Sequence, residues 1–431
     1  MPAAIALSRP GKQSQTAMNK TALPSVLAAL LFAASPALAA SIALVAPEAG
    51  AAYDTHSPCV KEFYASFEKR GVKPPRPPLN EEEQRLKAEA EAQGKVWYDR
   101  YGFFDFNDFT KDLNERNKAE EREWKPFSWT ADGALSGLRA EFSETPGFEK
   151  PLVELLDAKE SAAMRPKFLK LGTKYWWRVK GTDADGAEVV SDVRTFTTAD
   201  VPPRMIGLPS FNFRDVGGGT NVAGAKVRQG LLFRGTQPLI KKPPEVVKNF
   251  YVDNLGIRTD LDIRGETERA GALEGGEANL EEFGLRYLCV PLEDYHLYHP
   301  RCTEGIPRIM ELLASPTNYP VYVHCMVGSD RTGTLFAVLD GVLGRDDRFV
   351  YDDYESPSFS EWLPRFRYGR KSAELFGYLD PGAPEYEAIR KEVWACKLDR
   401  ANIRENAEKY LLDIGVPQAH IDAFREIMLE K

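Results

Sequence analysis

Cysteine and histidine are scarce in this chain of 431 residues, five of each, and their placement excludes several chemistries. Cys59, Cys289, Cys302, Cys325 and Cys396 form no Cys-x-x-Cys pair and the histidines are scattered, so no metal site and no cofactor are expected. An excess of positive charge is also lacking. The net charge of −8 argues against a nucleic acid or an anionic membrane surface as partner. Beyond the first forty residues no stretch is apolar and long enough to cross a membrane. What remains is an ordinary soluble composition, 43% hydrophobic and 28% charged, with length for two or three cores.

The one apolar run lies near the start. Met18-Asn-Lys20 precedes Leu23 to Phe32, and Ser35-Pro-Ala-Leu-Ala-Ala-Ser41 follows. A short basic region, a short apolar core and an Ala-x-Ala site read as a secretory signal peptide over 1–40, cut after Ala39 or Ala40. That predicts an exported protein, periplasmic or secreted, with no membrane span once the signal is removed. An uncleaved anchor is the rival reading.

Between Trp124 and Thr198 the pattern is of short β-type runs with turn signals. Lys170-Leu-Gly-Thr-Lys-Tyr-Trp-Trp-Arg-Val-Lys-Gly181 alternates like a half-buried strand, and Asp183-Ala-Asp-Gly186 turns it towards Val189 to Thr198. Together with Ile42 to Gly50 these runs predict an antiparallel sandwich over 41–198. The Leu-x-Thr-x-Tyr-x-Trp-x-Val pattern from Leu171 to Val179 resembles a fibronectin type III-like module. A charged piece, about 57–123, interrupts it as a helical insertion. Asn80-Glu-Glu-Glu-Gln-Arg-Leu-Lys-Ala-Glu-Ala-Glu-Ala-Gln93 supplies strong helix formers and acids in the first turn. The aromatics from Trp97 to Phe109 suggest packing against the sandwich, with protein or glycan contact as the sharper alternative. Residues 199–204, with Pro202-Pro203, form the expected linker.

The most informative segment is His324-Cys-Met-Val-Gly-Ser-Asp-Arg-Thr-Gly333, which follows the apolar run Tyr319 to Val323 and precedes the helix-like Thr334 to Leu343. A strand, a tight loop and a helix start in that order gather backbone N–H groups and the positive end of the helix dipole at one point. Arg331, six residues beyond Cys325, offers two parallel N–H bonds to a phosphate. In that field the thiol of Cys325 should ionise readily and attack phosphorus. Met326, Val327, Gly328, Ser329 and Gly333 would line the cradle.

The Cys-x5-Arg-Thr spacing resembles the active-site loop of the cysteine-dependent tyrosine and dual-specificity phosphatases. Asn212-Phe-Arg-Asp-Val-Gly-Gly218, Val227 to Gly235, and Leu255-Gly-Ile-Arg-Thr-Asp-Leu-Asp-Ile-Arg264 with Glu266 and Glu268 follow in the order of the bacterial tyrosine phosphatases whose loop ends Asp-Arg-Thr-Gly. The resemblance covers 205–431. It implies an α/β tyrosine phosphatase-like domain, a central sheet flanked by helices, acting on a phosphorylated protein or a small phosphomonoester. Many relatives carry Lys where this chain has Ser329, which weakens the phosphoinositide or inositol-phosphate alternative. A phosphate-recognising protein with little turnover is a rival of another class, and intact Cys325, Arg331 and Thr332 argue against it.

Hydrolysis needs a general acid and later a base. Asp294, in Tyr287-Leu-Cys-Val-Pro-Leu-Glu-Asp294, resembles the acid of dual-specificity phosphatases. Asp330 is the competitor, since a carboxyl so close to a dianion would keep its proton and suit the acid role. Glu293 is an outsider. Thr332 would donate its hydroxyl to the departing thiolate, and His324 would tune the loop through its hydrogen bonds. Arg214, Asp215, Arg234, Asp262 and Arg264 would brace the loop through buried ion pairs, with Asp262 near the substrate. Cys289 and Cys302 read first as small buried hydrophobes, with a reversible disulfide that protects Cys325 as the sharper alternative for either. Beyond Tyr351-Asp-Asp-Tyr-Glu355, Trp362, Arg365, Arg367, Arg370 and Lys371 suggest a basic pocket mouth or a solvated face. Helices are expected at 384–398 and 401–431.

Overall fold

The computed structural model describes residues 39–70, 78–94, 108–156, 162–206, 210, 212–359 and 403–430. The expected signal core, the aromatics Trp97 to Phe106, the basic segment Trp362 to Lys371, the expected helix at 384–398 and Cys396 lie outside them. Ala40–Lys431 forms one unit.

Alternation builds the first half. Strand β7 (Lys174–Thr182) buries Tyr175, Trp177 and Val179 and turns Trp176 and Arg178 outwards, the period-two pattern of a half-covered strand. It pairs with β4 (Ser136–Ser143), β8 (Glu188–Val190) and β9 (Arg194–Thr198), while β2 (Ala51–Tyr53) adds to β9 and β5 (Leu152–Leu155) to β4. A second sheet of β1 (Ser41–Ala46), β3 (Phe127–Asp132) and β6 (Ala163–Met164) faces it. Ile42, Leu44, Trp129 and Met164 from one sheet meet Phe142, Trp177, Val179 and Phe196 from the other in a single core. This is the expected β-sandwich. Phe127 sits at its centre with edge-on rings of Tyr53, Trp177 and Phe196, each at 5.0 Å.

The insertion is helical, as expected: α1 (Pro58–Ala65), α2 (Phe67–Arg70), α3 (Glu81–Ala92) and α4 (Asp108–Glu123). Helix α3 starts at a capping box between Asn80 and Glu83 and buries no residue. Cys59, Phe63 and Leu113 form a small core joining α1 to α4. These helices lean on the C-terminal half, where the Tyr64 hydroxyl meets Ser356 Oγ at 2.8 Å.

The second half carries a six-stranded sheet in the order β10 (Arg204–Met205), β11 (Arg214–Asp215), β12 (Leu232–Gly235), β15 (Val321–His324), β13 (Thr259–Asp262), β14 (Arg286–Cys289). The four strands from β12 to β14 run parallel, and the first three pair antiparallel. Strand β15 is buried throughout because both faces are covered. Val321 and Val323 join a core with α7 (Pro300–Leu313), α8 (Arg331–Val342), α9 (Asp347–Glu355), α10 (Ile403–Asp413) and α11 (Gln418–Met428). Tyr322 faces the opposite core with Phe213, Phe233, Phe250 and Tyr251. Helix α8 is buried from Thr332 to Val342, so it is apolar all round rather than amphipathic. A Cβ at its Gly341 would lie 2.7 Å from Ala407 Cβ, which shows how closely α10 crosses it.

Phe127→Ala should lower sandwich stability by about 3–5 kcal/mol, read as a shifted transition in urea unfolding of the full chain. A loss below about 1 kcal/mol would contradict this account of the core.

Candidate active site

The parallel sheet delivers Cys325 at the end of its most enclosed strand. Cys325 itself is 2% exposed. The chain then folds through residues 326–330 into α8. Gly328 adopts φ +66°, and a Cβ there would meet Gly235 O at 2.1 Å, so only glycine fits between the loop and the end of β12.

Three consecutive carbonyls of this loop are tied down from behind. Met326 O accepts from Gln237 N at 3.0 Å, Val327 O from Asn212 Nδ2 at 3.1 Å, and Gly328 O from Arg234 Nη2 at 3.1 Å. The N–H groups of Met326, Val327, Gly328 and Ser329 have no acceptor among the described residues. Anchored carbonyls and unspent N–H groups at a helix N-terminus form an anion cradle. Gly333, expected in that cradle, spends its N–H on Ser329 O at 3.0 Å and belongs to the helix instead.

A buried ionic network holds the tethers. Asp353, on α9, accepts from Arg214 Nε at 2.5 Å and also pairs with Arg234. Arg214 in turn bonds Asn212 Oδ1 at 2.5 Å. Both arginines are almost fully buried, and both belong to the residues expected to brace the loop. Asp215 does not. It binds Arg204 at 2.9 Å and the N–H groups of Gly217 and Gly230 at 2.9 and 2.7 Å, so it fastens the antiparallel edge of the sheet. Asp262 forms a buried ion pair, as expected of the bracing residues. Its carboxylate is fully buried and chelated by Arg264, whose other nitrogens hold Glu277 and Gln237. Its strand register sets it beside His324, the residue before Cys325. Burial opposes its charge, but His324 and Arg264 outweigh burial and keep its pKa low.

Arg331 is oriented by Glu268, which accepts from both terminal nitrogens at 2.7 and 2.9 Å. This bond pulls the Glu268 pKa down to about 2 and raises that of Arg331, to which Cys325 and Asp294 contribute as well. Arg331 therefore feels both the nucleophile and the expected acid. Asp294 lies on the loop after β14, and the next residue, Tyr295, adopts φ +63°, a conformation that costs a non-glycine residue about 1–3 kcal/mol. Two bonds sustain it: Tyr295 N donates to Thr334 Oγ1 at 3.0 Å, and its hydroxyl donates to Asp330 Oδ1. The Asp294 loop is thus pinned to the first turn of α8. The Thr332 hydroxyl is fully buried with no hydrogen-bond partner among the described residues.

His324 bridges Asp260 Oδ1 at 2.9 Å and Cys325 O at 3.1 Å. Burial works against its charge, yet the Asp260 carboxylate prevails and lifts its pKa to about 9. Cys289, weighed as an alternative guard of Cys325, is placed elsewhere. Cys289 pairs with Asp262 and Asp262 with His324, so β13 separates the two. Two strand spacings, about 9.6 Å, exceed the roughly 7 Å between Cα atoms that a disulfide tolerates. Burial raises the Cys289 thiol to about 11, and Cys302 gives its proton to Glu293 O at 3.3 Å. All described cysteines are free thiols. Among the described residues no group of three His, Cys, Asp or Glu is arranged to hold a metal ion.

Sequence reasoning missed Asp353, Tyr295, Asp260 and the role of Glu268. An acidic run such as Tyr351 to Glu355 resembles a solvated face, and only the arginines packed against it show otherwise.

Gly328→Ala should weaken inorganic phosphate binding about a hundredfold while circular dichroism stays unchanged; full affinity would contradict the steric argument. The His324–Asp260 pair predicts a pH dependence of folding. Its contribution is complete below the unfolded value of 6.5 and is lost as pH rises through the folded value of about 9. Unfolding free energy should therefore fall between pH 6.5 and 9, and Asp260→Asn should flatten that slope.

A model described as the tyrosine phosphatase family matches residues 209–430. No curated protein matches. Among solved structures, the core catalytic domain of the PP-IP phosphatase SIW14 from S. cerevisiae, in complex with citrate, is similar at 16% identity and TM-score 0.27, over 44% of this chain and 98% of that one. PTPMT1 in complex with PI(5)P is similar at 14% identity and TM-score 0.24, over 43% of this chain and 92% of that one. The family match spans just over half of the sequence and contains the whole Cys325 loop, so the chain belongs to the tyrosine phosphatase family.

Proposed function

We propose that the protein hydrolyses aryl phosphomonoesters, phosphotyrosine above all, through a phosphocysteine intermediate. The observation that carries this reading is the loop itself: four unspent N–H groups set between Cys325 and an Arg331 already oriented by Glu268. The cradle and guanidinium bind the three non-bridging oxygens of the phosphate. The Cys325 thiolate attacks phosphorus, the P–O ester bond breaks, and the leaving oxygen takes a proton from Asp294. Asp294 then accepts a proton from water as that water attacks phosphorus. The S–P bond breaks, inorganic phosphate leaves, and the orphan Thr332 hydroxyl donates to the departing thiolate.

Asp294 is preferred over Asp330 on geometry. Asp330 accepts the Tyr295 hydroxyl, which favours its ionised form, whereas Asp294 stands on a loop that Tyr295 pins against the first turn of α8. The aryl preference rests on the lip of the loop. Met326 is 47% exposed beside the nucleophile and offers apolar surface to a ring, while Ser329 is small, nearly buried and uncharged. A polyphosphorylated inositol headgroup would find no added cation at that position. The fibronectin-like character of the sandwich and export through the signal segment complete the proposal.

Cys325→Ser should abolish turnover on phosphotyrosine peptides; equal inertness of wild type and variant there, on phosphoserine peptides and on inositol phosphates would overturn the enzyme reading. Asp294→Asn should lose rate selectively on esters with poor leaving groups. The same selectivity in Asp330→Asn would reassign the acid.

A further inference from the structure

We propose that the helical insertion is part of the catalytic unit, with Arg70 acting as a positioning residue that holds the phosphate-binding loop through helix α9. Arg70 ends α2 and is only 1% exposed. Its two terminal nitrogens bind Glu355 and Asp352, and its Nε donates to Phe63 O at 3.0 Å. The guanidinium lies 3.6 Å from the centre of the Phe63 ring. Each of its three nitrogens thus makes a directed bond, and two of these bonds end on α9.

Helical geometry carries the effect inwards. Asp352 and Glu355 are three residues apart and share one side of α9, towards the insertion. Asp353 lies about 100° around the helix from Asp352 and faces Arg214 and Arg234. From there Arg234 reaches Gly328 O, and Arg214 reaches Val327 O through Asn212. Two of the three carbonyl tethers of the loop thus meet at Asp353, and its outward neighbours are held from the N-terminal half. Further bonds between the insertion and α9 run in parallel: Arg348 Nη2 donates to Tyr64 O at 2.7 Å, and Tyr64 meets Ser356 at 2.8 Å.

Removing Arg70 would take a buried cation away from Glu355, itself 1% exposed, and from Asp352, and so shift the charge balance on this side of α9. Burial already raises Asp352 to about 6 despite Arg70, so this side of α9 has little tolerance for losing its counter-charge. A helix that shifts by a fraction of an ångström moves Asp353, and with it the two tethers.

The inference rests on the loop being a phosphate cradle, and the test separates the two. In the full chain, Arg70→Met should weaken inorganic phosphate binding by about tenfold or more, with a matching fall in kcat/KM on p-nitrophenyl phosphate; Arg70→Lys should recover part of both. A fold staple alone would lower the unfolding temperature and leave both values, per folded molecule, within about twofold of wild type, and that outcome overturns the proposal. If Arg70→Met does not fold, Glu355→Gln decides, since it keeps the shape and discharges the pair: unchanged phosphate affinity would refute the coupling. A wild type that binds phosphate without hydrolysing esters would refute the proposed function and leave this inference standing.

Discussion

The Asp353 carboxylate, buried between Arg214 and Arg234, is the interaction on which the site depends. Three charges removed from water are stable only while each keeps its partners. Their bonds go on to Asn212 and to Gly328 O, so the energy that holds the ions together also sets the path of the loop. The same ions join three distant pieces of chain: the strand after the linker, the end of β12, and α9. None of the three segments could hold the arrangement alone.

The loop then follows from satisfying its backbone selectively. A short turn between a strand and a helix carries more polar groups than it can pair internally. Here the carbonyls are paired on the outer side, by Gln237, Asn212 and Arg234. The N–H groups of residues 326–329 are left without an acceptor among the described residues. Glycine at 328 permits the close approach to Gly235 that this requires. Charge is arranged in the same manner, because Glu268 fixes the Arg331 guanidinium through both of its terminal nitrogens. The left-handed Tyr295 brings the Asp294 loop against α8 by bonds to Thr334 and Asp330.

Much of this was legible in the sequence, because local chemistry leaves local patterns. The alternation from Tyr175 to Val179 specified a half-covered strand, and Val321 to Gly333 specified strand, loop and helix. The family resemblance drew Arg214, Arg234 and Arg264 to the site but did not sort their partners. Asp215 was assigned to the loop and instead meets Arg204 across the antiparallel edge, since which arginine that carboxylate meets is decided by strand pairing and not by spacing. Cys289 failed as a disulfide partner for the same reason: β13 lies between it and the strand that ends in Cys325. The link from Arg70 to α9 spans almost three hundred residues of chain, and no periodicity records it.

The central claim is a covalent phosphocysteine at position 325. Rapid acid quenching of the enzyme during turnover of an aryl phosphate, followed by mass spectrometric peptide mapping, tests it directly. The account predicts phosphate on the Cys325 peptide, accumulating when breakdown is slowed. Turnover with phosphate found on another residue, or with none on the protein at any time, would contradict it.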